Sequence, residues 1–164
     1  MKFSSAAVQD RFESPLGRII LAATDSHLVG LWFDGQRHQP DMSARALVPM
    51  HPILQQAKAE LTQYFRGHRK TFGLPLEFGS GSPFQQAVWR ALLAIPCGTT
   101  LSYGALSAAI AKPAAVRAVA AAIGRNPLSI VVPCHRVLGA GGALTGYAGG
   151  LERKAALLRL EGCS

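Results

Sequence analysis

Gly79-Ser80-Gly81 separates two stretches with different periodicities, and that division restricts the fold more than any other feature. A run of three small residues reads as a linker. Before it, residues 18–24 and 27–33 are apolar runs on either side of Asp25-Ser26, a two-residue hairpin signal. Ser14-Pro15-Leu16-Gly17 is a second turn signal, so residues 6–33 read as a β-meander. Residues 34–50 show no periodicity and read as loop. Pro52 suits a first helical position, with Ile53, Ala57, Leu61, Tyr64 and Phe65 following at helical spacing and Gly67 as C-cap. Phe72, Leu74, Leu76 and Phe78 alternate like a strand, which Pro75 confines to an edge.

After the linker the pattern is helical. Ser82-Pro83-Phe84-Gln85 has the form of a capping box with proline inside it. Phe84, Val88, Ala91, Leu92 and Ile95 form the inward stripe, and Pro96 ends the helix. Ser102 caps a second helix, Lys112-Pro113 breaks it, and a third spans residues 114–123. Two short helices across a break read as helix-turn-helix, although any helical hairpin gives that pattern. In the third helix Val116, Val119, Ala120 and Ile123 are expected inside. Ala114, Ala118 and Ala121 line the other side with one Arg117. Such a face either lies close to another surface or simply reflects alanine's helix propensity. A last helix, Leu151–Leu160, is expected to bury Leu151, Ala155 and Leu158. The fold class is α/β of the α+β kind. Residues 1–78 form a small lobe with an antiparallel sheet and a helix; residues 79–164 form a mainly helical lobe.

The net charge is +8 and the pI about 10.0. Through Gly81 there are nine Lys/Arg against seven Asp/Glu; from Ser82 onward there are eight against two. Segregated positive charge favours a polyanionic partner. No apolar run has signal-peptide or membrane-spanning form, so a soluble cytoplasmic protein is expected. Three cysteines, Cys97, Cys134 and Cys163, are odd in number and widely spaced, against a disulfide framework or a zinc site. The four histidines of the first half (His27, His38, His51 and His68) are scattered, and no metal or cofactor is expected.

Chemistry concentrates in residues 130–136, Ile-Val-Val-Pro-Cys-His-Arg. The β-branched run reads as a buried strand stopped by Pro133. Cys134 then has an imidazole and a guanidinium beside it, where a low-pKa nucleophile can be built. The competing reading is a cysteine buried for packing. In the basic half His135 is the one histidine, and Glu152 and Glu161 are the two carboxylates. Glu152 belongs in a first helical turn, where a negative charge is favourable. Glu161 sits at a helix C-terminus, where it is not, so Glu161 is the candidate to orient His135. Neighbours in an extended chain point apart, so a bridging water or a kink at Pro133 must connect Cys134 to His135. Residues 139–150 hold six glycines around Tyr147, without a nucleotide phosphate motif.

These residues resemble the O6-alkylguanine-DNA alkyltransferases (methylated-DNA–protein-cysteine methyltransferases). The likeness spans residues 82–162, through Ser82-Pro83-Phe84, Ser102-Tyr103-Gly104, Arg117-Ala118-Val119, Asn126-Pro127, Pro133-Cys134-His135-Arg136-Val137 and Gly146-Tyr147-Ala148-Gly149-Gly150-Leu151. The N-terminal lobe matches loosely. The resemblance implies irreversible, single-turnover transfer of an alkyl group from O6-alkylguanine, and from O4-methylthymine, in flipped-out duplex DNA. Cys134 is the implied acceptor, His135 takes its proton through a water, Glu161 orients the imidazole, and Asn126 holds the turn. Tyr103 is implied to polarise the leaving base, with the backbone of Val137 and Ala148, Lys154 at the pocket rim and Tyr147 completing the substrate site. Arg117, with Ala118 and Ala121, is implied to enter the minor groove without sequence preference. A monomer needing no cofactor is expected. Some members carry serine where this chain has Ala148, which implies tuning of substrate range. The N-terminal zinc ligands of some members have no counterpart in residues 1–78. A regulator with a merely packed Cys134, and a Cys-His-Glu hydrolase, are the competing functions.

Overall fold

The computed structural model describes residues 6–79 and 81–163, so Ser80 of the expected linker lies outside the described residues. The meander is present as β1 (Val8–Ser14), β2 (Gly17–Ala23) and β3 (Leu28–Phe33), antiparallel in the order β1-β2-β3. Side chains alternate between its faces. Ile19, Leu21, Leu31 and Phe33 enter the main core, while Ile20, Ala22, Val29 and Trp32 form a smaller cluster on the other face with Ala7 and Met42. Residues 34–50, irregular as expected, cover that second face. Gln9 Nε2 donates to the carbonyls of Met42 and Arg45, and the Gln9 backbone pairs with Ala46 and Val48.

α1 (Pro52–Phe65) packs Leu54, Ala57, Leu61 and Tyr64 against the sheet and ends at Gly67, whose φ of 77° suits glycine. Residues 72–78 do not form the expected strand. Leu76 makes a single bridge to Leu28, through Leu28 N–H to the Pro75 carbonyl and Glu77 N–H to the Leu28 carbonyl. Pro75 has no N–H to extend the ladder.

In the second half, α2 (Pro83–Leu93) begins with the full Ser82/Gln85 capping box. Its Trp89 is completely buried and donates Nε1–H to the Ala122 carbonyl at 2.8 Å, joining α2 to α4 (Val116–Gly124). Between them lie β4 (Leu101–Ser102) and α3 (Tyr103–Ala109), the latter capped by Ser102 Oγ. α3, the break and α4 form the helix-turn-helix arrangement. α4 starts later than its pattern suggested, and Val116, expected inside, is exposed in its first turn; Val119, Ala122 and Ile123 face the core.

The expected strand at residues 130–132 is instead a tight turn. Ile130 has φ 71°, a conformation disfavoured for a β-branched residue by about 1–2 kcal/mol. Burial of Ile130 and Val132 holds it there, and Val132 N–H closes the turn on the Leu128 carbonyl. β3 anchors it from the other lobe: Leu31 N–H donates to the Pro127 carbonyl at 2.8 Å and Ser129 N–H to the Leu31 carbonyl at 2.9 Å. Cys134–Arg136 then forms one 3-10 turn leading into β5 (Val137–Leu138), parallel to β4. α5 (Leu151–Leu160) buries Lys154, Leu157 and Leu158, while Leu151, expected inside, is exposed in the first turn.

Candidate active site

Asn126 follows α4 and organises the turn that carries the thiol. Its Oδ1 accepts from Leu128 N–H at 2.9 Å; its Nδ2 donates to the Val132 carbonyl at 2.8 Å and to Cys134 Sγ at 3.2 Å. Pro133, with ψ 63°, is the bend between the turn and the thiol. Cys134 lies in the wall of an open cavity of about 370 Å³, to which Tyr103, Ala121, Tyr147 and Ala148 also contribute. Only 5 % of Cys134 is exposed. The resting thiol is therefore not the low-pKa group that its neighbours in sequence suggested. Burial pushes it up, and the Asn126 hydrogen bond, the Lys154 charge and nearby backbone N–H groups offset only part of that.

Arg136 does not face Cys134. It turns toward α5, where Nε and Nη2 donate to Glu161 Oε2 and Oε1 at 2.8 and 2.9 Å, and Nη1 donates to the Ile95 carbonyl. Glu161 Oε1 lies 2.7 Å from His135 Nε2 and accepts from the Tyr64 hydroxyl at 2.7 Å. Burial alone raises the Glu161 carboxyl, but hydrogen bonds from His135, Arg136 and Tyr64 outweigh it and hold the group at about 2. Burial pushes His135 down more than Glu161 lifts it, so the imidazole is neutral at neutral pH. An ionised carboxylate only accepts, so Nε2 carries the ring hydrogen and Nδ1 is the basic nitrogen. Nδ1 is buried without a protein partner among the described residues, and no hydrogen bond joins it directly to Cys134.

The remaining expected positions divide. Tyr103 is on the cavity wall; burial pushes its phenol up, and its O–H donates to the Thr145 carbonyl at 3.2 Å. Tyr147 lines the cavity with its hydroxyl end buried, and Gly149 permits its close approach: a Cβ there would lie 3.0 Å from both the Tyr147 and Phe33 rings. Lys154 is not at the rim. It is fully buried, donates Nζ–H to the carbonyls of Thr145 and Gly146, and is drawn by burial to about 8. Val137 is fully buried in β5, off the cavity wall. Arg117 and Ala118 lie on the exposed face of α4, with Ala121 where that face meets the cavity. Among the described residues no group of three His, Cys, Asp or Glu side chains could hold a metal, and no helix is long and apolar enough to cross a membrane.

The sequence matches the 6-O-methylguanine DNA methyltransferase DNA-binding domain over residues 83–163 and the ribonuclease-like domain of the same family over residues 8–78. It is 45 % identical to the methylated-DNA–protein-cysteine methyltransferase of Mycobacterium leprae over 149 residues, covering 91 % of this chain and 88 % of the relative. The constitutive Bacillus subtilis protein of that name is 48 % identical over 153 residues, covering 91 % and 92 %. The chain belongs to this methyltransferase family. Its fold agrees with the crystal structure of the Mycobacterium tuberculosis O6-methylguanine methyltransferase at a TM-score of 0.86 and 43 % identity, over 94 % and 92 % of the two chains. A DNA complex of the M. tuberculosis protein OGT matches at 0.85 and 42 %, over 94 % and 91 %.

Two groups of the site were not legible in the sequence: Tyr64, which reaches Glu161 from the N-terminal lobe, and Arg136 as the clamp on that carboxylate. Helical spacing marked Tyr64 as inward, but nothing in the sequence indicated a partner 97 residues away. Glu161 titrates near 2 in the folded protein against an ordinary 4.5. Its contribution to stability is thus complete above about pH 4.5 and lost as pH falls toward 2. Glu161→Gln should lower stability at pH 7 by about 3–5 kcal/mol, because it leaves Arg136 buried without its charge partner. Urea titrations from pH 7 to pH 3 should show the gap to the parent protein narrowing below pH 4.5.

Proposed function

We propose that this chain reverses DNA alkylation directly, with Cys134 as the acceptor of an alkyl group from O6 of guanine. The observation that carries this reading is that Cys134, in the wall of an open cavity, is followed by a neutral His135 whose Nδ1 has no protein partner among the described residues. In the step, the Cys134 sulfur forms a bond to the alkyl carbon while the carbon–O6 bond breaks. The thiol proton passes through a bridging water to His135 Nδ1, and the resulting imidazolium is stabilised by Glu161. The guanine leaves with the electron pair of the carbon–O6 bond, is polarised by a hydrogen bond from Tyr103, which its raised pKa keeps protonated, and takes up a proton from solvent. Asn126 fixes the sulfur, and the Lys154 charge favours the thiolate as it forms. Ala148 donates its backbone N–H to the O6 side, and Tyr147 supplies a wall. A thioether cannot be hydrolysed by these groups, so each molecule acts once. The same cavity serves O4-methylthymine.

The target atom lies inside a stacked duplex, so the nucleotide must be extruded at a cost of a few kcal/mol. The exposed α4 face of Ala118 and Ala121 enters the minor groove, and Arg117 fills the gap left in the stack. Positive charge on residues 79–164 draws the protein to duplex DNA without sequence preference. The two lobes, 1–78 and 79–164, divide the work, the second carrying the reacting groups. The protein acts as a monomer in the cytoplasm.

Incubation with a duplex containing O6-methylguanine should add one methyl mass to the Cys134 peptide, and Cys134→Ser should abolish the gain. An unmodified peptide from protein with a titratable Cys134 thiol would contradict the reading. Arg117→Ala should slow transfer from duplex about 10–100-fold, and more than it slows transfer from free O6-benzylguanine; equal slowing excludes a flipping role. Tyr64 is a positioning residue. Tyr64→Phe leaves the Glu161 carboxylate with one donor fewer, hence more basic, and raises the pKa of His135. The acid limb of the pH–rate profile for O6-benzylguanine should therefore move to higher pH. An unmoved limb would reduce Tyr64 to a structural contact.

A further inference from the structure

The mouth of the Cys134 cavity is partly built by the other lobe. Arg37 and His38 line it from the segment after β3, and Arg125 lines it from the end of α4. All three side chains are exposed, and among the described residues no carboxylate forms a salt bridge with any of them. Like charges crowd here. His38 is pushed below its ordinary value by partial burial and then by the charges of Arg125 and Arg37. His38 is also held at φ 63°, a left-handed conformation uncommon outside glycine and asparagine. Arg37 is fixed to the glycine-rich loop, its N–H donating to the Ala148 carbonyl at 3.1 Å. Two guanidiniums and a strained histidine, with no carboxylate paired to them among the described residues, suit an anion at the cavity mouth.

We propose that Arg37, His38 and Arg125 form a phosphate-binding rim that grips the backbone of the extruded nucleotide itself. This rests on the reading that the Cys134 cavity receives an alkylated nucleotide. A base that enters the cavity brings its own two phosphodiesters to the mouth. Arginine's planar fork suits phosphate oxygens, and an arriving phosphate relieves the repulsion between the two guanidiniums while the neutral His38 ring offers one N–H donor. The rim differs from the general attraction of the basic half, because its phosphate reaches it only when the nucleotide has left the stack. It also gives the N-terminal lobe a direct part in holding DNA.

Binding is measured with full-length Cys134→Ser protein, which does not consume the lesion. Arg37→Ala and Arg125→Ala should each weaken binding to an O6-methylguanine duplex roughly fivefold and reduce the slope of log affinity against log salt by about one. Binding to undamaged duplex should change much less. A neutral methylphosphonate at one of the two phosphates flanking the lesion should erase the difference between parent and variant, whereas one placed several nucleotides away should preserve it. Unchanged affinity for the lesion duplex, equal losses on damaged and undamaged DNA, or a difference insensitive to the flanking methylphosphonates would each overturn the rim. Alkylation of Cys134 in the parent protein by free O6-benzylguanine tests the underlying chemistry separately. If that failed, the repair reading would fall, and the binding titrations would still decide the rim.

Discussion

One buried carboxylate holds three distant parts of the chain in register. Glu161 terminates α5, yet its oxygens receive hydrogen bonds from Tyr64 on α1 and from His135 and Arg136 in the 3-10 turn beside Cys134. Removing a carboxylate from water costs several kcal/mol, and one partner rarely offsets that. Here the Arg136 fork supplies the compensating charge, which leaves His135 neutral. The imidazole is thereby fixed in one tautomer and orientation without carrying a proton that it must later accept. The ion pair that stabilises the fold is thus Arg136 with Glu161, and the pair that serves the chemistry shares the same carboxylate.

A second constraint keeps Cys134 facing the cavity. The turn at residues 126–132 contains a β-branched residue in a left-handed conformation, which does not persist in isolation. It is held by Asn126 from within, by β3 from the side, and by burial of Ile130 and Val132 beneath. Asn126 couples this scaffold to the reaction, since the amide that closes the turn also donates to the sulfur. Burial keeps the thiol protonated at rest, so in the proposed mechanism the nucleophile is generated only when a substrate occupies the cavity. A protein used once gains from a thiol that is not spent on stray oxidants.

The N-terminal lobe enters both constraints. Leu31 anchors the active turn, Tyr64 donates to the central carboxylate, and Arg37 and His38 stand at the cavity mouth. Arg153 of α5 returns the contact, donating to the Leu16 carbonyl while its guanidinium stacks 4.5 Å above the Phe33 ring. The main apolar core accordingly runs without a break from the sheet to α5.

Local chemistry was readable from the amino acids alone. The Ser82/Gln85 capping box, Pro52, the Ser102 cap, the meander turns and the contact of His135 with Glu161 each rest on short-range rules or on a small inventory of residue types. Features set by what lies across the core were not. Residues 130–132 have strand composition, but pairing with β3 stops at Ser129 and the left-handed Ile130 turns the chain. Pro75 reduces residues 72–78 to a single bridge, and Val116 and Leu151 sit in first helical turns that the core does not reach. The family resemblance implied Lys154 at the pocket rim, yet carbonyls at Thr145 and Gly146 satisfy it inside. The sequence by itself marked the candidate reacting groups and determined most helix boundaries. The tertiary structure alone decided that Arg136 pairs with Glu161, that the thiol rests protonated and that Tyr64 donates to Glu161, because burial and long-range partners set charge and direction.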